Sequence, residues 1–428
     1  MKTNSLNFIG AALAAVLLIH PGTPAMAGTS TWNGTSSVDL NAAGNWSSLP
    51  VSGNDTWSFG ATSTAGTTLN NNFSAGFAVT GLDFTATALA YTINGNAIAL
   101  GGDITMAGGS PTQNINLNMN LTGVRTVNTR ASGDVKLGGN LNGTGGLVKV
   151  NGGGTLWLSG TNSYSGDTTI NGGAVRVGSI NNNLGAGIIN IGSGTTSGTL
   201  IIEGVAGETT SRTINLSGTT GSATITNNIS SGTLIIASNI TATGAGQKTL
   251  NLAGNKTGIV SGSIVDNSSI NKTSMSVSGG STWTLSGINT YTGNTSVSGA
   301  TLVLAGTSQT KFSIGASGFN NQINGSGTLT LDGDFVFDLS GAGTTLGNNW
   351  NIVTVGTLGE TFGATFAVQN FFSVNTTLWA KSIGGGNFYN FDETTGMLSV
   401  TTVPEPSTWA LLAAGATTVL ILRRRTRI

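Results

Sequence analysis

Apolar and polar residues alternate along most of this 428-residue chain. Examples are Thr-Leu-Trp-Leu-Ser at 155–159, Ala-Val-Arg-Val at 174–177 and Thr-Leu-Val-Leu at 301–304, with Gly or Asn close to their ends. A period of two residues places successive side chains on opposite faces of an extended strand, whereas a helix would need apolar residues every three or four positions. The pattern therefore predicts an all-β protein built from many short strands.

Two segments of the chain repeat one another. Residues 152–177 and 279–304 align without gaps at an offset of 127 residues, and partial copies that contain Gly-Thr-Leu surround them. The residues that the two segments share include the following pairs: Leu158 and Leu285, Ser159 and Ser286, Gly160 and Gly287, Asn162 and Asn289, Tyr164 and Tyr291, Gly166 and Gly293, Thr168 and Thr295, Gly172 and Gly299. Such self-similarity is the signature of a repeat architecture.

A single strand–turn–strand unit exposes both of its edges and one apolar face, so it is stable only when further units stack on it. The repeats therefore predict a right-handed parallel β-helix, or solenoid, with about 20 to 25 residues in each coil. About fifteen coils stacked about 4.8 Å apart would form a rod about 70 Å long. Stacked Asn side chains can hydrogen-bond to one another along such a rod. A β-sandwich remains an alternative for part of the chain.

The beginning of the chain has a different pattern. A lone Lys2, an apolar stretch and the small-x-small sequence Ala25-Met26-Ala27 are typical of a secretory signal peptide, which would be cleaved before Gly28. The predicted segments are a signal helix (1–27), an N-terminal β region or cap (28–110), the β-solenoid (111–322), a C-terminal β region or cap (323–402) and a C-terminal tail (403–428).

Composition excludes several classes of site. The one histidine, His20, lies in the signal peptide and the chain has no cysteine, so the mature protein could form neither a Ser-His-Asp or Cys-His site nor a His or thiolate metal site. Only 7% of residues are charged, and residues 28–403 contain 11 basic and 15 acidic residues. No basic stripe could follow a phosphate backbone, so we expect no nucleic-acid partner. We also expect no cofactor.

The segment GGGTLWLSGTNSYSGDTTINGGAVRV (152–177) resembles the autotransporter-associated β-strand repeat of exported proteins. The resemblance lies in the spacing of the shared Leu, Ser-Gly, Asn, Tyr and Gly residues and clearly covers only about 50 residues. Residues 31–60, with Trp32, Asn45-Trp46, Pro50 and Trp57, are similar to the N-terminal region of such proteins. The resemblance implies a β-solenoid surface protein and no particular chemistry.

The tail, VPEPSTWALLAAGATTVLILRRRTRI (403–428), has an apolar run that is short for a membrane span. It predicts a C-terminal transmembrane helix whose basic end stays cytoplasmic. The order of its elements resembles the PEP-CTERM sorting signal, and the residues that carry the resemblance are Val403, Pro404, Glu405, Pro406, Ser407, Arg423, Arg424 and Arg425. This resemblance implies recognition by an exosortase, a membrane enzyme of Gram-negative bacteria, and a link to exopolysaccharide or biofilm matrix.

Two sets of residues are candidates for binding. Asp332, Asp334 and Asp338 could hold Ca²⁺, but they do not match a known calcium-loop spacing, and we favour a solvated acidic face. Five aromatic residues would stack on sugars if they were exposed: Trp32, Trp46, Trp57, Tyr164 and Tyr291. For the two tyrosines, which occupy the same repeat position, we favour packing over binding.

The sequence favours an exported, non-enzymatic protein of the cell surface or extracellular matrix. After an inner-membrane intermediate, it would reach the envelope surface or the medium and associate with exopolysaccharide. A glycan-binding adhesin is the alternative. A polysaccharide-degrading β-helix enzyme is less favoured, because glycoside hydrolysis needs a close carboxylate pair and the acidic residues are spread thinly.

Overall fold

The computed structural model describes residues 28–130, 133–354 and 357–402, which form about 12 turns of a parallel β-solenoid. The prediction of a parallel β-solenoid is confirmed. Both predicted terminal helices, in 1–27 and 403–428, lie outside the described residues. Each coil contributes one segment to each of three faces, and strands are numbered below in chain order.

Face 1 is a ten-stranded parallel sheet that continues into a three-stranded one. A bridge between Ile240 and Ile264, and the hydrogen bond from Thr290 N to Ile264 O, join the two sheets. In stacking order, the strands of face 1 are β1 (Gly28–Trp32), β2 (Asp55–Phe59), β5 (Gly81–Phe84), β8 (Ile104–Met106), β11 (Arg125–Thr129), β14 (Leu147–Val150), β16 (Thr168–Ile170), β18 (Ile189–Gly194), β21 (Ile214–Gly218), β24 (Ile240–Ala242), β29 (Ile288–Asn289), β32 (Gln309–Ser313) and β35 (Asp334–Asp338).

Face 2 is one continuous parallel sheet of twelve strands. The spacing between residues paired in neighbouring coils varies from 19 residues, for Leu158 with Val177, to 28, for Val297 with Gly325. Its strands are β3 (Thr68–Asn71), β6 (Thr92–Gly95), β9 (Gln113–Ile115), β12 (Val135–Leu137), β15 (Thr155–Leu158), β17 (Gly173–Val177), β19 (Gly198–Ile202), β22 (Ser222–Asn227), β25 (Lys248–Gly254), β27 (Thr273–Ser278), β30 (Thr295–Ser298) and β33 (Ile323–Gly325).

Face 3 consists of a four-stranded and a seven-stranded parallel sheet. Between them, the irregular segment 159–165 and the one-turn helix α1 (Ile180–Asn183) occupy the same side of the coil, because Asn162 N donates to Asn182 O. The strands are β4 (Phe77–Val79), β7 (Ile98–Leu100), β10 (Met119–Leu121), β13 (Leu141–Asn142), β20 (Glu208–Thr210), β23 (Leu234–Ile236), β26 (Thr257–Val260), β28 (Thr282–Leu285), β31 (Thr301–Leu304), β34 (Thr328–Leu331) and β37 (Gly359–Phe362).

Alternation along each strand places one set of side chains inside the coil, where equivalent residues of successive coils form columns. One column on face 2 consists of fully or almost fully buried residues: Leu69, Ile93, Ile115, Leu137, Leu158, Val177 and Ile202. A parallel register keeps like residues above one another, so each coil buries the apolar edge of the previous one. Asn ladders run outside this core as expected; Asn116 Nδ2 donates to Asn94 Oδ1 at 2.8 Å.

The last described region leaves the coil pattern. It forms an antiparallel sheet of five strands: β36 (Asn349–Asn351), β41 (Met397–Thr402), β40 (Asn387–Asp392), β39 (Leu378–Gly384) and β38 (Phe372–Ser373). Phe391 of this sheet packs against Phe335 of the coils, with ring centroids 5.6 Å apart. Because this region adds no coils, the number is about 12 and not the expected fifteen or so. At the other end, the residues that follow a 3-10 helix (Ala43–Asn45) pair with β1, where Ser47 N donates to Thr31 O at 2.8 Å.

Candidate functional site

The predicted sorting residues fall mostly outside the described part of the chain. This applies to the cleavage-site residues Ala25 and Ala27 and to the whole tail signal from Val403 onward. Gly28, the predicted first residue after cleavage, is described and begins β1; its N–H donates to Asn54 O at 2.8 Å. Over residues 28–130, 133–354 and 357–402, no helix has the length and hydropathy that a membrane span needs.

The two repeat tyrosines lie inside the solenoid. Tyr164 and Tyr291 are 0% and 1% exposed, and their hydroxyls hydrogen-bond to the Oγ1 atoms of Thr168 and Thr295 at 2.6 and 2.7 Å. Burial raises the pKa of Tyr291 to about 12 and also raises the pKa of Tyr164. The prediction that these residues pack is confirmed, and they are not available to stack on a sugar.

The shared Asn of each repeat links its coil to the coil before it. Asn162 Oδ1 accepts the N–H of Leu141 at 2.8 Å, and Asn289 Oδ1 accepts the N–H of Ile264 at 3.1 Å. Both Asn side chains are buried, so each satisfies a backbone donor that water cannot reach. The repeat motif therefore encodes contacts between coils as well as a strand–turn–strand unit.

Two of the shared glycines allow coils to approach closely. A Cβ on Gly160 would overlap Gly139 O, and a Cβ on Gly287 would overlap Gly262 O. No other residue fits such a contact between backbones without moving one of them. The Ser-Gly pair of the motif is thus a stacking requirement.

The equivalent strands of the two repeats lie on different faces. In the first repeat, β15, β16 and β17 lie on faces 2, 1 and 2; in the second, β28, β30 and β31 lie on faces 3, 2 and 3. The irregular segment that carries the Tyr shifts likewise, from face 3 to face 1, where it includes β29. The offset of 127 residues therefore does not correspond to a whole number of coils. The sequence alignment did not reveal this rotation by one face.

The N-terminal tryptophans proposed as possible sugar platforms are also buried. Trp32, Trp46 and Trp57 are 0%, 5% and 0% exposed. The rings of Trp32 and Trp46 meet edge to face with centroids 5.1 Å apart, and Trp46 Nε1 donates to Leu40 O at 2.6 Å. These aromatics stabilise the first coils, and the sugar-stacking alternative is wrong for all five residues considered because none presents a free ring face.

The three neighbouring aspartates have separate partners. Asp338 lies 2.9 Å from Lys311 Nζ, and this hydrogen bond is the main cause that lowers the Asp338 pKa to about 2. Asp334 accepts a hydrogen bond from Gln369, whereas Asp332 precedes β35 and lies beside Gly363. Among the described residues, no group of three or more His, Cys, Asp or Glu side chains is arranged to hold a metal ion.

The sequence analysis did not identify a cationic ladder on the outside of face 2, which consists of Lys136, Trp157 and Arg176. Trp157 lies between Lys136 and Arg176 of the neighbouring coils, whose charged groups are 4.8 and 4.3 Å from its ring centre. Arg176 also pairs with Glu203 at 2.6 Å. Alternation in Thr-Leu-Trp-Leu does indicate that Trp157 faces outward, but only the parallel register places the two cations above and below it.

Two lysines point into the solenoid. Lys149 Nζ donates to the carbonyl oxygens of Val150 and Asn151 at 2.9 and 2.6 Å, and Lys248 Nζ donates to three carbonyls between residues 244 and 246. Both lysines are 1% exposed, and burial lowers the pKa of Lys149 to about 8. Each ammonium satisfies the carbonyls of a turn between faces 1 and 2. These lysines are therefore structural.

Comparison with known protein families identifies two of these features. The Passenger-associated-transport-repeat family matches residues 147–177 and 277–304, and the PEP-CTERM protein-sorting motif matches residues 402–425. Searches of curated proteins and of solved structures found no match. The sorting motif implies exosortase-dependent export and a location in the envelope or outside the cell. The chain thus carries passenger-associated-transport repeats within a β-solenoid, together with a PEP-CTERM sorting motif.

Proposed function

We propose that this chain is a non-enzymatic structural rod of the cell surface or extracellular matrix that associates with exopolysaccharide. An exosortase would recognise Pro404-Glu405-Pro406 and cleave close to it, so the tail would serve as a temporary membrane address. The signal peptide would direct export, and the tail would hold an inner-membrane intermediate until cleavage. The prolines disfavour helix and would keep this site extended and accessible.

The non-enzymatic part of the proposal rests on one observation: several carboxylates accept hydrogen bonds from backbone N–H groups of the following coil. Asp134 Oδ1 accepts the N–H of Thr155, and Asp167 Oδ1 accepts the N–H of Ile188, each at 2.8 Å and each in the following coil. Asp103 makes the same contact. Carboxylates committed to backbone donors hold the rod together, whereas glycoside hydrolysis needs two of them facing one bond.

Incubation of the purified protein with envelope polysaccharide tests this part. We expect no release of reducing sugars, and release that scales with protein concentration would refute the proposal. An Asp134→Ala variant is the informative comparison, because it removes the acceptor of the Thr155 N–H, the contact that we assign to stacking. Its unfolding midpoint in urea should fall, whereas loss of a sugar release that the unaltered protein showed would indicate catalysis.

Mass spectrometry of envelope and culture fractions tests the sorting part. The mature species should yield no peptide from residues 409–428 in a strain with an active exosortase. Full-length protein should accumulate in the inner membrane after exosortase deletion. Full-length protein in the membrane of the unmodified strain would contradict the proposal. Loss of the protein from the matrix fraction after enzymatic removal of exopolysaccharide would support the association with the glycan.

A further inference from the structure

A polar cleft of about 390 Å³ crosses four successive coils where face 1 turns into face 2. It lies at the beginnings of β25, β27, β30 and β33, whose residues pair as Lys248 with Thr273, Met275 with Thr295 and Thr295 with Ile323. Its volume is within the range of small-ligand sites. The lining is formed mainly by amide and hydroxyl side chains and contains no carboxylate: Gln247, Lys272, Ser274, Asn294, Ser313 and Asn320 contribute polar groups.

A rigidly held loop places an aromatic ring at this cleft. Phe319 is 73% exposed and lies in a tight loop closed by the hydrogen bond from Gly315 N to Phe319 O at 2.8 Å. The buried Trp350 donates its indole N–H to Gly315 O and Ala316 O, and Gly318 N donates to Asn349 O. The antiparallel sheet thus anchors the loop, although the Phe319 ring makes little contact with the core.

The cation in the cleft, Lys272, forms no ion pair with any residue that the structure describes. The ion pairs among the described residues are Arg176 with Glu203 and Lys311 with Asp338, so Lys272 belongs to neither. The carboxylate of Asp266 is engaged by hydrogen bonds from Thr273, next to Lys272, and from Thr292 of the lining. Lys272 and the exposed Gln247 side chain have no hydrogen-bond partner in the described protein, which leaves both available to a ligand.

We propose that this cleft binds a uronic-acid-containing polysaccharide, an inference that rests on the proposed association with exopolysaccharide and specifies its chemistry. The Phe319 ring packs against the C–H face of one pyranose. Lys272 pairs with a sugar carboxylate, and the amide and hydroxyl groups of the lining hydrogen-bond to sugar hydroxyls. Since the cleft extends over four coils, it suits a chain of sugars better than a single residue.

Affinity electrophoresis of the purified full chain in gels that contain polygalacturonate tests the inference, with dextran as the neutral comparison. We expect retardation by polygalacturonate that weakens with salt, and little retardation by dextran. Lys272→Gln should weaken binding about tenfold, because it removes a charge-assisted contact. Phe319→Ala should weaken binding to a similar extent and leave the salt dependence intact.

Matched controls are Lys256→Gln and Phe372→Ala, which alter a cation and an exposed ring away from the cleft and should bind like the unaltered protein. Urea unfolding of each variant checks that the fold is kept. Absence of binding to polygalacturonate, or equal binding by the Lys272→Gln, Phe319→Ala double variant, would overturn the inference. Retention of that double variant in the matrix would show that the glycan binds elsewhere than in the cleft, and it would leave the proposed function intact. Failure of the proposed function would appear instead as absence of the unaltered protein from an untreated matrix fraction.

Discussion

The two passenger-associated-transport repeats have nearly the same motif and different positions around the rod. The first repeat starts on face 2 and the second on face 3, yet Tyr164 and Tyr291 are equally buried and make equivalent hydrogen bonds to a Thr. The contact of the buried Asn Oδ1 with the previous coil and the close approach at the stacking Gly are also equivalent. The motif therefore specifies a local turn and its contacts with the adjacent coil, and it does not specify a face.

The largest expected effect on stability comes from removing the two tyrosine rings. Tyr164→Ala and Tyr291→Ala should each lower the free energy of unfolding by about 3–5 kcal/mol, because each leaves a cavity and an unpartnered Thr hydroxyl. Tyr→Phe at the same sites should cost only about 1 kcal/mol. Urea unfolding measures both. If the ring mattered at one face only, with a loss below about 1 kcal/mol at the other, the equivalence would be disproved.

Adding a methyl group at the stacking glycines tests the close approach of coils. Gly160→Ala and Gly287→Ala should each cost about 2 kcal/mol, because the new Cβ forces neighbouring backbones apart. Gly152→Ala is the control, since a Cβ there meets no atom within 4 Å and its cost should be near zero. Equal stability of all three variants would show that the coils tolerate wider spacing.

The buried Asn residues should reveal a difference between the repeats. Asn162→Ala should cost about 2 kcal/mol and Asn289→Ala about 1 kcal/mol, since each leaves a buried N–H unpaired. The first loss is larger because Asn162 Nδ2 also donates to Asn183 O of the next coil, whereas Asn289 Nδ2 donates to Gly287 O within its own coil. The reverse order in thermal or urea unfolding would contradict this reading of the contacts.

Alkaline pH should affect the buried phenols. Unfolded tyrosines lose their proton near pH 10, whereas Tyr291 keeps its proton to about pH 12. The folded state therefore binds more protons in this window, and the free energy of unfolding should fall as pH rises, by about 1 kcal/mol between pH 10 and 11 for this residue. Tyr291→Phe should reduce that slope in urea unfolding. An unchanged slope would mean that Tyr291 titrates normally when folded.

The smallest expected effect concerns the outer surface, where the repeats differ. Trp157 and Arg176 of the first repeat correspond to Thr284 and Val303 of the second, so Arg176→Val makes the first repeat like the second. We expect a cost of less than about 1 kcal/mol, from the cation–π contact and the partly exposed pair with Glu203. A larger loss would show that the ladder stabilises the coils.

Much of the coil interior follows from alternation in the sequence. The pattern in Thr-Leu-Trp-Leu correctly indicates that Leu156 and Leu158 are buried, and the shared position of the tyrosines indicates packing. It fails for Leu-Val-Lys-Val at 147–150, where Leu147 and Lys149 point inward and the two valines are partly exposed. A buried lysine is stable there only because turn carbonyls lie within reach, and local sequence does not encode that geometry.

The surface was less predictable. Polar residues that line the cleft are spread from 247 to 321, and only the register of four coils brings them together. The aromatic residues selected from the sequence were those of the motif and of the N-terminal region, and all of them are buried in the core. Phe319 belongs to neither group. Its loop is distinguished only by the hydrogen bond from the Trp350 indole to Ala316 O, which the sequence does not show.

The independence of the motif from a particular face affects how such a rod can change during evolution. The two copies are separated by a fractional number of turns. Gain or loss of the 127-residue interval between them would therefore rotate all later coils about the long axis by one face, with little change in the packing of each coil. Duplication would then alter two properties at once: the length of the rod, and the direction around its long axis in which later features, including the Phe319 loop, face.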